Sequence, residues 1–212
     1  MTVSSTHSDK PHPDMSITMP QLTRDSLMTL EAYSRVRPEF RRQVIEHKKP
    51  RKVHLGEHVT LLFEDEMTVR YQVQEMLRIE RIFEEEGIQH ELDAYNPLIP
   101  DGRNFKATML IEFVDGTTRR QELSRLIGIE DRVWVQVEGS PRVYAIADED
   151  LDRENDEKTS SVHFLRFELT NDMAAALKYG VSLAMGVDHP NYTAILSPVS
   201  ADTRASLAAD LA

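Results

Sequence analysis

The chain has no cysteine. That excludes an internal disulfide framework, a thiolate zinc site, a Cys-ligated iron–sulfur cluster and a catalytic thiol. It has no run of 18 apolar residues, so no membrane-spanning helix and no membrane partner are expected. The N-terminal stretch is rich in Thr, Ser, His and Pro and lacks the apolar block of a secretory signal. A cytoplasmic location is the expectation that fits these absences. Glycine is scarce, and the patterns that cradle phosphate, present a nucleophile or bind calcium are missing: there is no Walker loop, no G-x-G-x-x-G, no G-x-S-x-G and no EF-hand. Positive charge is also in short supply, with 25 Lys and Arg against 36 Asp and Glu, a formal net charge of -11. An acidic balance of this size opposes a nucleic-acid-coating role, so no nucleic acid is expected among the partners.

What is present fits one globular unit. A length of 212 residues is ample for one core and short for two full domains. Residues 1–21, with Pro11, Pro13 and Pro20, read as a disordered tail, and residues 22–212 as a single α+β domain. Thr23 or Asp25 caps a helix carrying Leu27, Leu30 and Tyr33. Pro38 divides it from a second piece, Glu39 to His47, which ends in a basic patch of Arg41, Arg42, Lys48, Lys49, Arg51 and Lys52, read as a solvated helix end. His58 to Phe63 reads as a strand, and the segment from about Glu66 to Glu86 as a long helix closed by Gly87. Alternation predicts strands over Phe105–Phe113, Val133–Val137, Val143–Ile146, Val162–Leu169 and Val181–Val187. Helices are predicted over Thr118–Leu126, Asn171–Tyr179 and from Ala201 onward, with a charged loop over Asp148–Ser160. The predicted architecture is α+β: a mixed, largely antiparallel sheet, a long buried central helix, and N-terminal helices docked at its side.

The long helix supplies the first candidate residues. At 100° per residue, Val69, Val73, Met76 and Phe83 share a face, and Glu80 falls within that stripe. Glu75 falls between Ile79 and Ile82. Two inward carboxylates need a cation, a donor or a proton. Either they form a structural network with Arg70, Arg78 and Arg81, or they act as metal ligands or general acid/base groups. His163 alternates with Leu165, Phe167 and Leu169 on an apolar strand face, and His189 follows Val187-Asp188 at a strand end. The His54/His58 spacing has Gly56 between its members in a strand-like context, which does not align two ligands, and no Glu-x-x-His repeat occurs. A pocket would therefore join Glu75 and Glu80 to His163 or His189, rimmed by the stiff Asn96–Gly102 loop with Asn96 and Asp101. Such ligands suit iron, manganese or zinc.

Several long segments carry a family resemblance: Thr23-Arg24-Asp25-Ser26-Leu27, Val53-His54-Leu55-Gly56-Glu57-His58 through Phe63-Glu64-Asp65, and Gln74-Glu75-Met76-Leu77-Arg78-Ile79-Glu80. Ala94-Tyr95-Asn96-Pro97-Leu98-Ile99-Pro100-Asp101-Gly102, Val162-His163-Phe164-Leu165-Arg166-Phe167-Glu168-Leu169 and Val187-Asp188-His189-Pro190 complete the set. From about Leu22 onward the chain resembles an uncharacterised bacterial family defined only as a domain of unknown function. The resemblance implies a genomic neighbourhood of rubrerythrin-like proteins and iron–sulfur proteins similar to heterodisulfide reductase subunits. A redox or oxidative-stress partner follows as an expectation. The resemblance implies no active site. The resulting expectation is an accessory protein that binds a redox partner, with a small metal- or ligand-binding enzyme as the alternative.

Overall fold

The computed structural model describes residues 21–147 and 158–212. The predicted tail, apart from Gln21, and the charged loop, apart from residues 158–160, lie outside the described residues.

The N-terminal helix α1 spans Leu30–Lys48, and the Thr29 hydroxyl caps it by accepting from the Ala32 N–H. The predicted break at Pro38 is absent, because proline's fixed φ is itself helical. Proline inside a helix costs roughly 3 kcal/mol in lost bonding and ring contact. Tyr33 and Val44, fully buried on either side of it, hold the two halves in one helix.

Helix α2 spans Glu66–Glu80, capped by Asp65 through the Thr68 N–H. It ends six residues earlier than predicted, at Arg81, which adopts a left-handed conformation with φ of 55°. The cause lies in the apolar pattern. Val69, Val73 and Leu77 form the buried stripe at intervals of four, and nothing extends it beyond Leu77. The chain reverses, and α3 (Glu85–Tyr95) buries Ile88 and Leu92 against that stripe in a cluster completed by Leu22, Leu27 and Ile99. Gly87 therefore lies inside α3 instead of closing α2. The expected long central helix is thus two shorter helices, each buried along one side.

The strands are β1 (Lys52–Leu55), β2 (Val59–Phe63), β3 (Asn104–Ile111), β4 (Val133–Val137), β5 (Val143–Tyr144), β6 (Ile146–Ala147), β7 (Val162–Glu168), β8 (Leu183–His189) and β9 (Tyr192–Leu196). The remaining helices are α4 (Gly116–Arg125), α5 (Asn171–Lys178) and α6 (Ala201–Ala208). The predicted α+β, antiparallel character holds, but the strands form two sheets, ordered β1-β2-β3-β7-β6 and β5-β4-β8-β9. The predicted strand Val143–Ile146 is split between them. Ala145 still donates to the Val133 carbonyl in one sheet, while Ile146 pairs with Arg166 in the other.

Period-2 alternation places the core. Phe105, Ala107, Met109 and Ile111 of β3 and Leu165 and Phe167 of β7 point inward from the first sheet. Val133, Val135 and Val137 of β4 and Leu183, Met185 and Val187 of β8 do so from the second, joined by Leu123, Met173, Leu177 and Leu207 of α4, α5 and α6. Strands β1 and β9 were not predicted. Tyr192 of β9 ties them together: its hydroxyl donates to the Leu55 carbonyl at 2.6 Å and accepts from the His58 N–H at 3.0 Å. Gly56, at φ 73°, turns beneath that hydroxyl, and a Cβ there would lie 2.5 Å from it.

Candidate functional site

Glu75 sits in a closed clamp between α1 and α2. Its Oε1 accepts from the Tyr33 hydroxyl and from Arg37 Nε, both at 2.7 Å, and its Oε2 accepts from Arg37 Nη2 at 2.7 Å. Arg78 adds bonds of 3.3 and 3.1 Å from one turn further along α2. The Arg37 fork, against the cost of burial and with help from Arg78 and Tyr33, holds the Glu75 carboxyl well below the usual carboxylate range. Burial, together with the facing carboxylate, pushes the Tyr33 phenol up. Of the three arginines that the sequence reading placed near the carboxylates, Arg78 joins Glu75, and the shorter bonds come from Arg37 on another helix, which sequence proximity had not indicated.

Glu80 is a correction. It is exposed, at the last position of α2, and Phe83 lies beyond the helix end with 68% of its surface open. The helical wheel that placed Glu80 inward assumed a helix running through Phe83, and Arg81 ends it first.

His163 is buried on β7, as its alternation predicts. Its Nε2 lies 3.0 Å from the Thr159 hydroxyl, 3.0 Å from the Ser160 carbonyl and 3.8 Å from Glu130 Oε2, and Glu130 is itself buried. His189, at the end of β8, is also buried. Its Nδ1 accepts from the Asn191 N–H at 3.2 Å, which leaves Nε2 to donate to the Ile127 carbonyl at 3.1 Å. The Asn96 side chain both accepts from and donates to the backbone of Leu22, at 2.8 and 3.0 Å, fastening that residue beside the end of α3. Asp101 accepts from the Arg103 N–H within its own turn. Glu75 and Glu80 belong to α2, His163 lies against Glu130, and His189 bonds the Ile127 carbonyl. Among the described residues no group of three His, Asp or Glu side chains is disposed to hold a metal ion.

The sequence reading missed two arrangements. The first is centred on Arg51, read as part of a solvated basic patch but only 2% exposed. It donates to the Phe63 and Glu64 carbonyls, to Ser206, and through two nitrogens to Asp210. Asp65 lies 3.5 Å from it and also bonds His47. Burial alone would raise both carboxyls. At Asp65 the Arg51 charge, the Thr68 N–H and His47 outweigh it and hold the group below its ordinary value, whereas at Asp210 burial wins and the carboxyl is pushed up. Beside them Glu64 is buried between two hydroxyls, accepting from Thr68 at 2.6 Å and Thr108 at 2.9 Å. This network locks α6 and α1 onto the first sheet.

The second arrangement is on the outer face of the second sheet. Trp134, Tyr144, Gly186 and Ile195 stand opposite one another across its four strands. The Arg142 guanidinium lies 3.9 Å above the Trp134 ring. Arg142 and the Tyr144 hydroxyl both donate to Asp188 Oδ2, at 3.2 and 2.6 Å. Trp134 Nε1 and Asp188 Oδ1 are buried and make no hydrogen bond among the described residues. Alternation carried a signal for this face: with Val133, Val135 and Val137 inward, Trp134 must face out, and Ala184, Gly186 and Asp188 must line the neighbouring strand.

The comparisons agree with one another. The family described as protein of unknown function (DUF3501) matches residues 21–211. A crystal structure of a protein of unknown function from Burkholderia pseudomallei K96243 is 58% identical, with a TM-score of 0.87, covering 91% of this chain and 100% of that one. No curated protein matches. The match across nearly the whole described chain places it in a family, and the chain belongs to the DUF3501 family of proteins of unknown function.

Proposed function

We propose that the chain is an accessory protein that docks a redox or oxidative-stress partner through the outer face of its second sheet. The observation that carries docking is the composition of that face: Arg142 lies over Trp134, which is only 2% exposed, Arg142 and Tyr144 share Asp188 as acceptor, and Ile195 at 62% and Tyr144 at 41% exposure stand open beside them. Trp, Tyr and Arg anchors are the residue types that concentrate binding energy at protein interfaces. The net charge of -11 favours a partner with a basic surface, recruited in a salt-dependent way, and disfavours nucleic acid. The redox character of the partner, rubrerythrin-like or iron–sulfur, rests on the family resemblance alone. The test is capture by the full chain from extract of its native cell at low and high salt, beside the Ile195→Asp and Tyr144→Ala variants. A basic-faced redox protein should be retained at low salt, released at high salt and lost by both variants. Recovery of no redox protein at either salt removes the redox reading, and equal capture by the variants moves docking to another face.

For the alternative, a metal- or ligand-binding enzyme, the supporting observation involves a different carboxylate from those the sequence suggested. Glu130, not Glu75 or Glu80, lies against buried His163. Elemental analysis of protein purified without chelator, compared with His163→Ala, tests it: a stoichiometric metal lost in the variant supports the reading, and none in either abandons it.

A further inference from the structure

We infer that the face of Trp134 is an arginine-recognition cradle, filled in the isolated chain by its own Arg142 and opened when an arginine of a partner takes its place. The inference rests on the docking reading and names the chemistry of the partner group.

The cradle has three walls. The indole of Trp134 lies on the backbone of Gly186, where an added Cβ would stand 2.4 Å from its ring, so only glycine lets the ring lie so low. Tyr144 flanks it on β5, directly opposite in register. Asp188 closes it from β8. An aromatic face beside a carboxylate is the chemistry that holds a guanidinium, by stacking on one side and charge-assisted hydrogen bonds on the other. The structure already holds one there, with Arg142 over the ring and bonded to Asp188.

Arg142 fills this cradle incompletely. Its Nη1 reaches only Oδ2 of Asp188, an oxygen it shares with the Tyr144 hydroxyl. The other oxygen, Oδ1, is buried and has no partner among the described residues, and the same holds for the indole Nε1–H. A guanidinium free to approach end-on pairs with both oxygens of a carboxylate. An incoming arginine therefore gains a bond that Arg142, tethered just after the turn Gly139-Ser140-Pro141, does not make, and a carbonyl of the incoming segment can accept from Nε1. Unmade bonds at buried groups are costly, so satisfying them favours exchange. Arg142 is replaceable: it stands next to the short edge strand β5 with its side chain 37% exposed. A lysine would compete poorly, because an ammonium neither stacks flat nor forks.

Trp134 is the sole tryptophan of the chain, so its emission reports on the cradle directly. The experiment titrates the full chain with Nα-acetyl-arginine amide and, separately, Nα-acetyl-lysine amide, following Trp134 fluorescence. It compares wild type with Arg142→Ala, Arg142→Gln and Asp188→Asn. Expected are a saturable change in the wild type with arginine amide, about tenfold tighter binding in both Arg142 variants, roughly fivefold or more preference for arginine over lysine, and loss of binding in Asp188→Asn, margins on the scale of about one charge-assisted hydrogen bond. No saturable change in the wild type, even with binding to the Arg142 variants, would make Arg142 a fixed internal clasp and overturn the inference. Equal response to the two amides would overturn it also. Arginine binding without capture of any partner from extract places the error in the docking reading and leaves the cradle standing.

Discussion

Arg51 and Asp210, 159 positions apart, form a two-point ion pair at 3.2 and 2.5 Å, with the guanidinium buried beneath α6. The other bonds of Arg51 go to the Phe63 and Glu64 carbonyls and to Ser206, so one side chain ties the start of the first sheet to α6. Breaking a buried pair from one side leaves an uncompensated charge. Arg51→Met leaves Asp210 beside Asp65 with no guanidinium between them and is expected to cost about 3–5 kcal/mol in denaturant-unfolding curves. Asp210→Leu should cost less, because Arg51 keeps Asp65 at 3.5 Å as a counter-charge together with its carbonyl and Ser206 acceptors. We also propose that residues 22–212 unfold as one unit, so the wild-type curve should be a single transition by both far-UV circular dichroism and Trp134 fluorescence.

Glu75 and Glu80, five residues apart on the same helix, are expected to behave oppositely. Glu80→Gln should change stability by less than about 0.5 kcal/mol, because the side chain is exposed at the helix end. Glu75→Gln should lower stability near neutral pH by about 1 kcal/mol, a value discounted for partial solvent screening of the clamp. The contribution of Glu75 also depends on pH. The folded-state pKa of Glu75 lies below its ordinary value of 4.5, so the folded chain binds this proton more weakly than the unfolded chain does. Its contribution is therefore present above about pH 4.5–5 and declines as the pH falls toward the folded value. The gap between wild type and Glu75→Gln should narrow from pH 6 to pH 3. A constant gap would show that the clamp acts through packing and not charge.

The strands of the core were legible because alternation is a local signal: Val133, Val135 and Val137 announce their inward face without knowledge of any partner. Glu80 was misplaced because a helical wheel carries no information about where a helix stops. The left-handed turn at Arg81 comes from the packing of Ile88 and Leu92 back onto Leu77, a tertiary cause. Arg51 was misread for a related reason. In sequence it is one of six basic residues between 41 and 52, and its burial depends on Asp210, far outside any local window. The two sheets were read as one because the crossing at Ala145 takes a single residue, and a switch that short leaves no break in the apolar pattern. The face that carries the proposed function was half visible. Trp134 had to point outward, but the glycine beneath it and the aspartate beside it acquire meaning only once β4 and β8 are paired in register.

Gly186 offers the last test, since it asks whether the position of Trp134 is set by the backbone below it. A methyl group at residue 186 would stand 2.4 Å from the indole ring and 2.6 Å from the Ala194 carbonyl. Neither can yield cheaply: the carbonyl belongs to the β8–β9 ladder, and the ring is held between strand and guanidinium. Gly186→Ala should therefore cost about 1–3 kcal/mol, the usual range for overpacking, even though alanine itself is no worse than glycine in a strand. The ring should be lifted away from the sheet and toward solvent, seen as a red shift of Trp134 emission and easier quenching by acrylamide. Arg142→Ala should also raise quenching, by uncovering the ring from above, but without the stability cost of a clash. The double variant should then quench more than either single change, while its stability loss stays close to that of Gly186→Ala alone. A Gly186→Ala chain with unchanged emission and unchanged stability would mean that the ring rests elsewhere, and the cradle would lose its floor.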